Sequence, residues 1–249
     1  MRAVRKLSQG PDSGRSPREK TLTSKVTAEF AQLVGSHETG GECFLYLPEF
    51  RGAVELQTGG SQIPPLRYPG HTFSECDARA AFHVTSVLAN AFEPDHIHLE
   101  NAGALDRAKA GKQTAFLFGS RSNSITQWVM EHRAPQKFFR FEFGDKWAIT
   151  CVDGQVFAVP DPSKLTEEAY VSHSDYGVIA KFLDSPAQTQ FFVIAGLGSR
   201  ATEGCGYFFA QHWRDLAGRF GPQGFAVILE FPPPVEPSSF RPVAWFPRS

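Results

Sequence analysis

The stretch QFFVIAGLGSRATEGCGYFFAQHWRDLAG (190–218) decides the fold. Its opening seven residues, 190–196, are the most hydrophobic strand-like run in the chain. Such a run predicts a strand covered on both faces, because a strand with one wet face alternates polar and apolar residues. The turn GLGSRATEG (196–204) follows, and CGYFFAQHWRDLAG (205–218) then carries apolar residues at helical spacing and ends on glycine. Strand, glycine-rich turn and helix make the repeating unit of a doubly wound sheet.

The same rhythm extends in both directions. TSKVTAEFAQLVG (23–35) predicts a short amphipathic helix, and CFLYLPEF (43–50) a first buried strand. After a Gly/Pro-rich loop to about residue 70, HTFSECDARAAFHVTSVLANAF places Ala81, Val84, Leu88 and Phe92 at helical spacing. Ser74 and Asp77 approximate a capping box at its start. HIHLE (96–100) predicts a strand and LDRAKAG a short helix ending on Gly111. TAFLFGSRSN (114–123) reads as strand then polar turn, with SITQWVMEH continuing as a helix. YGVIAKFL (176–183) and FAVILEF (225–231) complete the strands. The expected fold class is thus α/β, a Rossmann-like, doubly wound, mostly parallel sheet. One segment breaks the rhythm. FFRFEFGDKWAITCVDGQVFAVP alternates apolar and polar residues around Gly144-Asp145 and Asp153-Gly154, which predicts an antiparallel β-hairpin or three-stranded meander inserted at 137–160.

Composition bounds the rest. A chain of 249 residues with 41% hydrophobic content fits one large domain, taken here as 21–231. The 23 phenylalanines, against 5 Tyr and 4 Trp, predict a core built largely from Phe. A formal net charge of −1 excludes bulk electrostatic binding of nucleic acid. No apolar run reaches the ~18 residues of a membrane span, and the basic N-terminus lacks the apolar segment of a secretory signal, so a cytoplasmic location and no membrane partner are expected. Cys43, Cys76, Cys151 and Cys205 lie far apart with no C-x-x-C, which fits reduced, mostly buried thiols. Residues 1–20 read as a disordered basic tail and 232–249 as a Pro-rich extension running extended over the surface. Either terminus offers a route to a protein partner, the second through Phe240, Trp245 and Phe246.

In open α/β sheets, ligands sit outside the carboxyl ends of the parallel strands. That rule gathers Glu49, Arg51, Glu100 and Asn101 with two longer turns. In FGSRSN, Gly119 allows close backbone approach. The N–H groups of Ser120, Arg121 and Asn123 then open a helix, whose N-terminus favours anions. In AGLGSRATEG, Gly196, Gly198, Ser199 and Arg200 repeat the pattern. Arg121 and Arg200 suit bidentate contact with phosphate or carboxylate. A nucleotide or other phosphorylated metabolite is the expected ligand, and no motif identifies a cofactor. The same residues also have an ordinary structural use: glycines shape tight turns and hydroxyls cap helices.

The strand and Gly-Ser turn at 114–120, with the turn at 196–203, are similar to the nucleotide-binding superfamily that includes the Lonely Guy phosphoribohydrolases. Those proteins carry a Gly-Gly-x-Gly-Thr-x-x-Glu turn. Gly196 and Glu203 match its first and last positions; Leu197, Ser199 and Arg200 depart from its second Gly, third Gly and Thr. More remotely the chain resembles TIR-type domains, which cleave nucleotides with a glutamate. The resemblance spans two turns. It implies nucleotide chemistry, with Glu203 as the catalytic acid for cleaving an N-glycosidic bond. The ordinary alternative for Glu203 is an acid offsetting a helix dipole. The rival functional class is a non-catalytic sensor or protein-interaction module. Among other polar residues, Asp175 reads as a turn or cap and Cys205 as structural. His96 and His98 share a strand face without a third ligand, so no metal site is expected.

Overall fold

The apolar runs pair into a mixed α/β architecture centred on a seven-stranded, mostly parallel sheet. The computed structural model describes residues 28–35, 41–48, 74–101, 104–133 and 138–247. The basic tail, Glu49, Arg51 and the loop to residue 70 lie outside the described residues. The strands are β1 (Cys43–Leu47), β2 (Ile97–Asn101), β3 (Thr114–Phe118), β4 (Phe139–Phe143), β5 (Lys146–Cys151), β6 (Val156–Pro160), β7 (Asp175–Asp184), β8 (Thr189–Gly196), β9 (Phe225–Phe231) and β10 (Arg241–Phe246). The helices are α1 (28–34), α2 (Glu75–Leu88), α3 (Leu105–Ala110), α4 (Ser124–His132), α5 (Glu167–Val171) and α6 (Ser199–Phe220).

The main sheet runs in the order β10-β9-β7-β8-β3-β1-β2. Strands β2, β1, β3 and β8 are mutually parallel. β7 is antiparallel to both β8 and β9, so β9 points the same way as those four. β4, β5 and β6 form a separate three-stranded antiparallel sheet.

Side-chain alternation along each strand feeds two cores. Leu45, Phe116, Phe192, Ile194, Val227 and Leu229 pack under α1, α2 and α6. On the opposite face, Phe44, Leu117, Val193 and Ile228 pack with Ile125 and Val129 of α4 and with Phe139, Ile149 and Val159 of the small sheet. With both faces covered, the central strands have no wet side, which is why their sequences show no alternation. The Phe content goes where expected. The rings of Phe116 and Phe192 stack at 4.5 Å, with Phe209 of α6 edge-on to both at 5.6 and 5.8 Å. Each such ring contributes roughly 1.5–3 kcal/mol by burial.

The structure differs from the sequence expectation in three places. β7 is antiparallel inside the main sheet, because only residues 185–188 separate its paired end Asp184 from Thr189 of β8, and a parallel connection needs a dozen residues or more. α6 starts at Ser199, six residues before the expected 205. The Pro-rich C-terminal segment is an edge strand of the sheet rather than a surface strap. Val235, Ala244 and Phe246 are buried, while Pro242 sits beside a register shift, a position that tolerates the missing N–H.

Candidate functional site

The register between β3 and β8 brings the two glycine-serine turns together. Phe118 lies opposite Ile194, and the Gly119 N–H donates to the Ile194 carbonyl at 3.1 Å. The Ser120 hydroxyl then donates to the Gly196 carbonyl at 2.8 Å, tying one turn to the other. Gly119 has φ +81°, a conformation that disfavours any Cβ, and a Cβ there would stand 3.1 Å from Ser122 Oγ. The helices that follow these two strands leave to opposite faces of the sheet, α6 to the face of Phe116 and Phe192 and α4 to the face of Leu117 and Val193, and this divergence opens a crevice at the ends of β3 and β8.

That crevice is a cavity of about 460 Å³, in the size range of small-molecule sites. Gly119, Ser120, Arg121 and Ser122 form one wall, and Gly196, Leu197, Gly198, Ser199 and Thr202 another. Ser74 and Asp77 at the start of α2 close a third side, and Trp147 of β5 a fourth. The Arg121 guanidinium lies over the Trp147 ring, 5.1 Å from its centroid. The Trp147 Nε1–H is buried and has no hydrogen-bond partner among the described residues. A buried donor left unpaired carries a penalty of about 1–3 kcal/mol, and this one is shielded from the cavity as well as from solvent.

Asp77 is the residue that the sequence reading missed. It was legible only as a helix-capping acid, yet it is 4% exposed and lines the cavity. Burial pushes its carboxyl up to about 6, against the lowering effect of a hydrogen bond from Ser74. A cleft carboxylate displaced in this way is the kind of group that marks a functional site.

A second buried carboxylate explains the early start of α6. Asp175, at the head of β7, is 1% exposed and accepts from the Gly198 N–H at 3.1 Å, the Tyr176 N–H at 2.7 Å and the Tyr170 hydroxyl at 2.5 Å. A hydrogen bond from the Ala201 backbone completes the set. Asp175 thus caps α6 from another strand, and Gly198 at the N-cap needs no side chain of its own. Desolvation pushes its carboxyl up to about 6, opposed by these hydrogen bonds. Its carboxylate sits behind the Gly198 backbone and outside the cavity lining.

The other expected site residues divide. Gly119, Ser120, Arg121, Gly196, Gly198 and Ser199 line the cavity. Asn123 is fully buried and structural in its contacts. Its Nδ2 donates to the Tyr46 and Phe118 carbonyls, each at 2.9 Å, and its Oδ1 accepts from the Ile125 and Thr126 N–H groups. Arg200 pairs with Glu167 and donates to the Val235 carbonyl. Glu203 faces α2, with Arg79 at 3.5 Å. Neither Arg200 nor Glu203 lines the cavity. Cys205 is fully buried and its thiol is pushed well up by desolvation. His96 and His98 both meet Glu42, at 3.3 and 2.7 Å, and the described residues hold no group able to bind a metal. Phe240 packs on Phe208 and Trp245 on Phe220, so these C-terminal aromatics are used within the fold.

Compared with known proteins, the chain matches no family model, no curated protein and no solved structure. The functional reading therefore rests on the geometry. Among the described residues, no helix is long and apolar enough to cross a membrane.

Proposed function

We propose that the cavity between the 119–122 and 196–202 turns binds a nucleotide or a related phosphorylated metabolite. The observation that carries this reading is the convergence of the two glycine-serine turns, the N-terminus of α6 and one exposed arginine on a single cavity. Backbone N–H groups at a helix N-terminus favour an anion, and Arg121 adds a charge beside them. Asp77 suits the sugar, since a carboxylate accepts from ribose hydroxyls. The β2-β1-β3 order supports a Rossmann-like classification, with the β4–β6 sheet as an insertion. Four free cysteines fit a reducing, cytoplasmic setting.

If the site cleaves its ligand, the reaction is hydrolysis of the N-glycosidic bond. Asp77 then stabilises the oxocarbenium-like centre or orients water, as paired carboxylates do in glycoside hydrolysis. Asp77 is the better candidate than Glu203, because it lines the cavity and Glu203 is turned toward Arg79.

Titration calorimetry with AMP, ADP and ATP tests the binding. At least one is expected to bind, and Arg121→Ala to weaken it by about tenfold, the effect of one lost charge-assisted contact. Absence of heat with all three nucleotides would overturn the reading.

A further inference from the structure

A second cavity, of about 500 Å³, opens on the other side of Arg121, between α4 and β4. It shares Ser120 and Arg121 with the first. We propose that it is a second subsite, for an aromatic heterocycle joined through phosphate to the group in the first cavity, so that the ligand is a dinucleotide. This inference rests on the nucleotide reading above.

Two observations carry it. The first is an aromatic platform. Phe141 and Phe143 line the second cavity with their rings near parallel, 17° apart at 5.9 Å. Phe143 is 37% exposed, although a ring of this size is usually covered. Stacked π-faces of this kind suit a nucleobase.

The second is the distribution of charge. Arg121 stands at the boundary of the two cavities, and its guanidinium lies over the Trp147 ring. Arg140, by contrast, is held by Glu142 at 2.6 Å. Glu131 lies at the second cavity, which therefore disfavours an anion there. The anionic part of a ligand belongs at Arg121, between the cavities, and a neutral aromatic part belongs beyond it. A pyrophosphate bridge with a nucleoside on either side has that order.

The test compares NAD⁺ and diadenosine diphosphate with AMP by calorimetry, on the wild type and Phe143→Ser. At least one dinucleotide is expected to bind about tenfold more tightly than AMP. Phe143→Ser should remove most of that advantage while AMP affinity stays within about twofold. Phe143 is exposed, so the variant should fold. AMP binding as tightly as both dinucleotides, or a dinucleotide affinity indifferent to Phe143→Ser, would overturn the second subsite alone. Failure of all three ligands to bind would overturn it together with the nucleotide reading.

Discussion

Asp77 shows how a single side chain can have a local and a global role. In sequence it is the third residue of a helix that begins after Ser74, and Ser74 does cap α2 by accepting from the Asp77 N–H at 3.4 Å. The fold then places that carboxyl in a crevice and raises it from 3.8 to about 6. Between these values the folded protein holds a proton that the unfolded chain has released. Stability must therefore fall as pH rises from about 4 through about 6, and stay lower above that window. Asp77→Asn mimics the protonated form and should escape this loss. Its melting temperature relative to wild type should climb between pH 4 and pH 7 and then level off. The rise should be about 2–12 °C for a shift worth on the order of 1–3 kcal/mol. A difference that is flat across this range would mean that Asp77 is not desolvated.

α6 is the element that sequence periodicity described least well. The run 196–204 contains three glycines, so it reads as a turn, but the helix has already begun at Ser199. Two long-range facts explain this. The capping carboxylate, Asp175, comes from β7 rather than from the preceding residue. Gly204 and Gly206 are there for packing, because a Cβ on Gly204 would run into the Phe231 ring of β9 and one on Gly206 would lie 2.6 Å from the Ala80 carbonyl oxygen of α2. The doubly covered strands were legible, since such a strand reads as an apolar run in any context, whereas the Pro-containing edge strand β10 was not. Contacts between distant elements leave no local pattern. For the same reason the juxtaposition of the two glycine-serine turns could be anticipated from the parallel-sheet rule, whereas the inward Asp77 and the Trp147 wall could not. Gly206→Ala should destabilise by about 1–3 kcal/mol through the forced separation of α2 and α6. Gly218→Ala, in the same helix with no atom within 4 Å of the added Cβ, should stabilise by about 0.5–1 kcal/mol. Denaturant unfolding of the two variants checks the contrast in sign; equal effects would mean that the helices do not approach as described.

At the scale of the whole molecule, the C-terminal segment is part of the domain. β10 covers the edge of β9, Phe246 and Val235 are buried, and the Arg219 guanidinium lies 4.4 Å from the Trp245 ring centroid. Removing residues 232–249 should lower the melting temperature by roughly 10 °C or more, given the apolar area uncovered. An unchanged melting curve in circular dichroism would instead make this segment a detachable arm. The parallel pair β3 and β8, with α4 and α6 leaving to opposite faces of the sheet, sets up the crevice on which the functional reading depends. Backbone amide shifts during titration with AMP test that reading most directly. The prediction is that Gly119–Ser122 and Gly196–Ser199 shift first and saturate together. No shifts, or shifts confined to residues away from both turns, would contradict it.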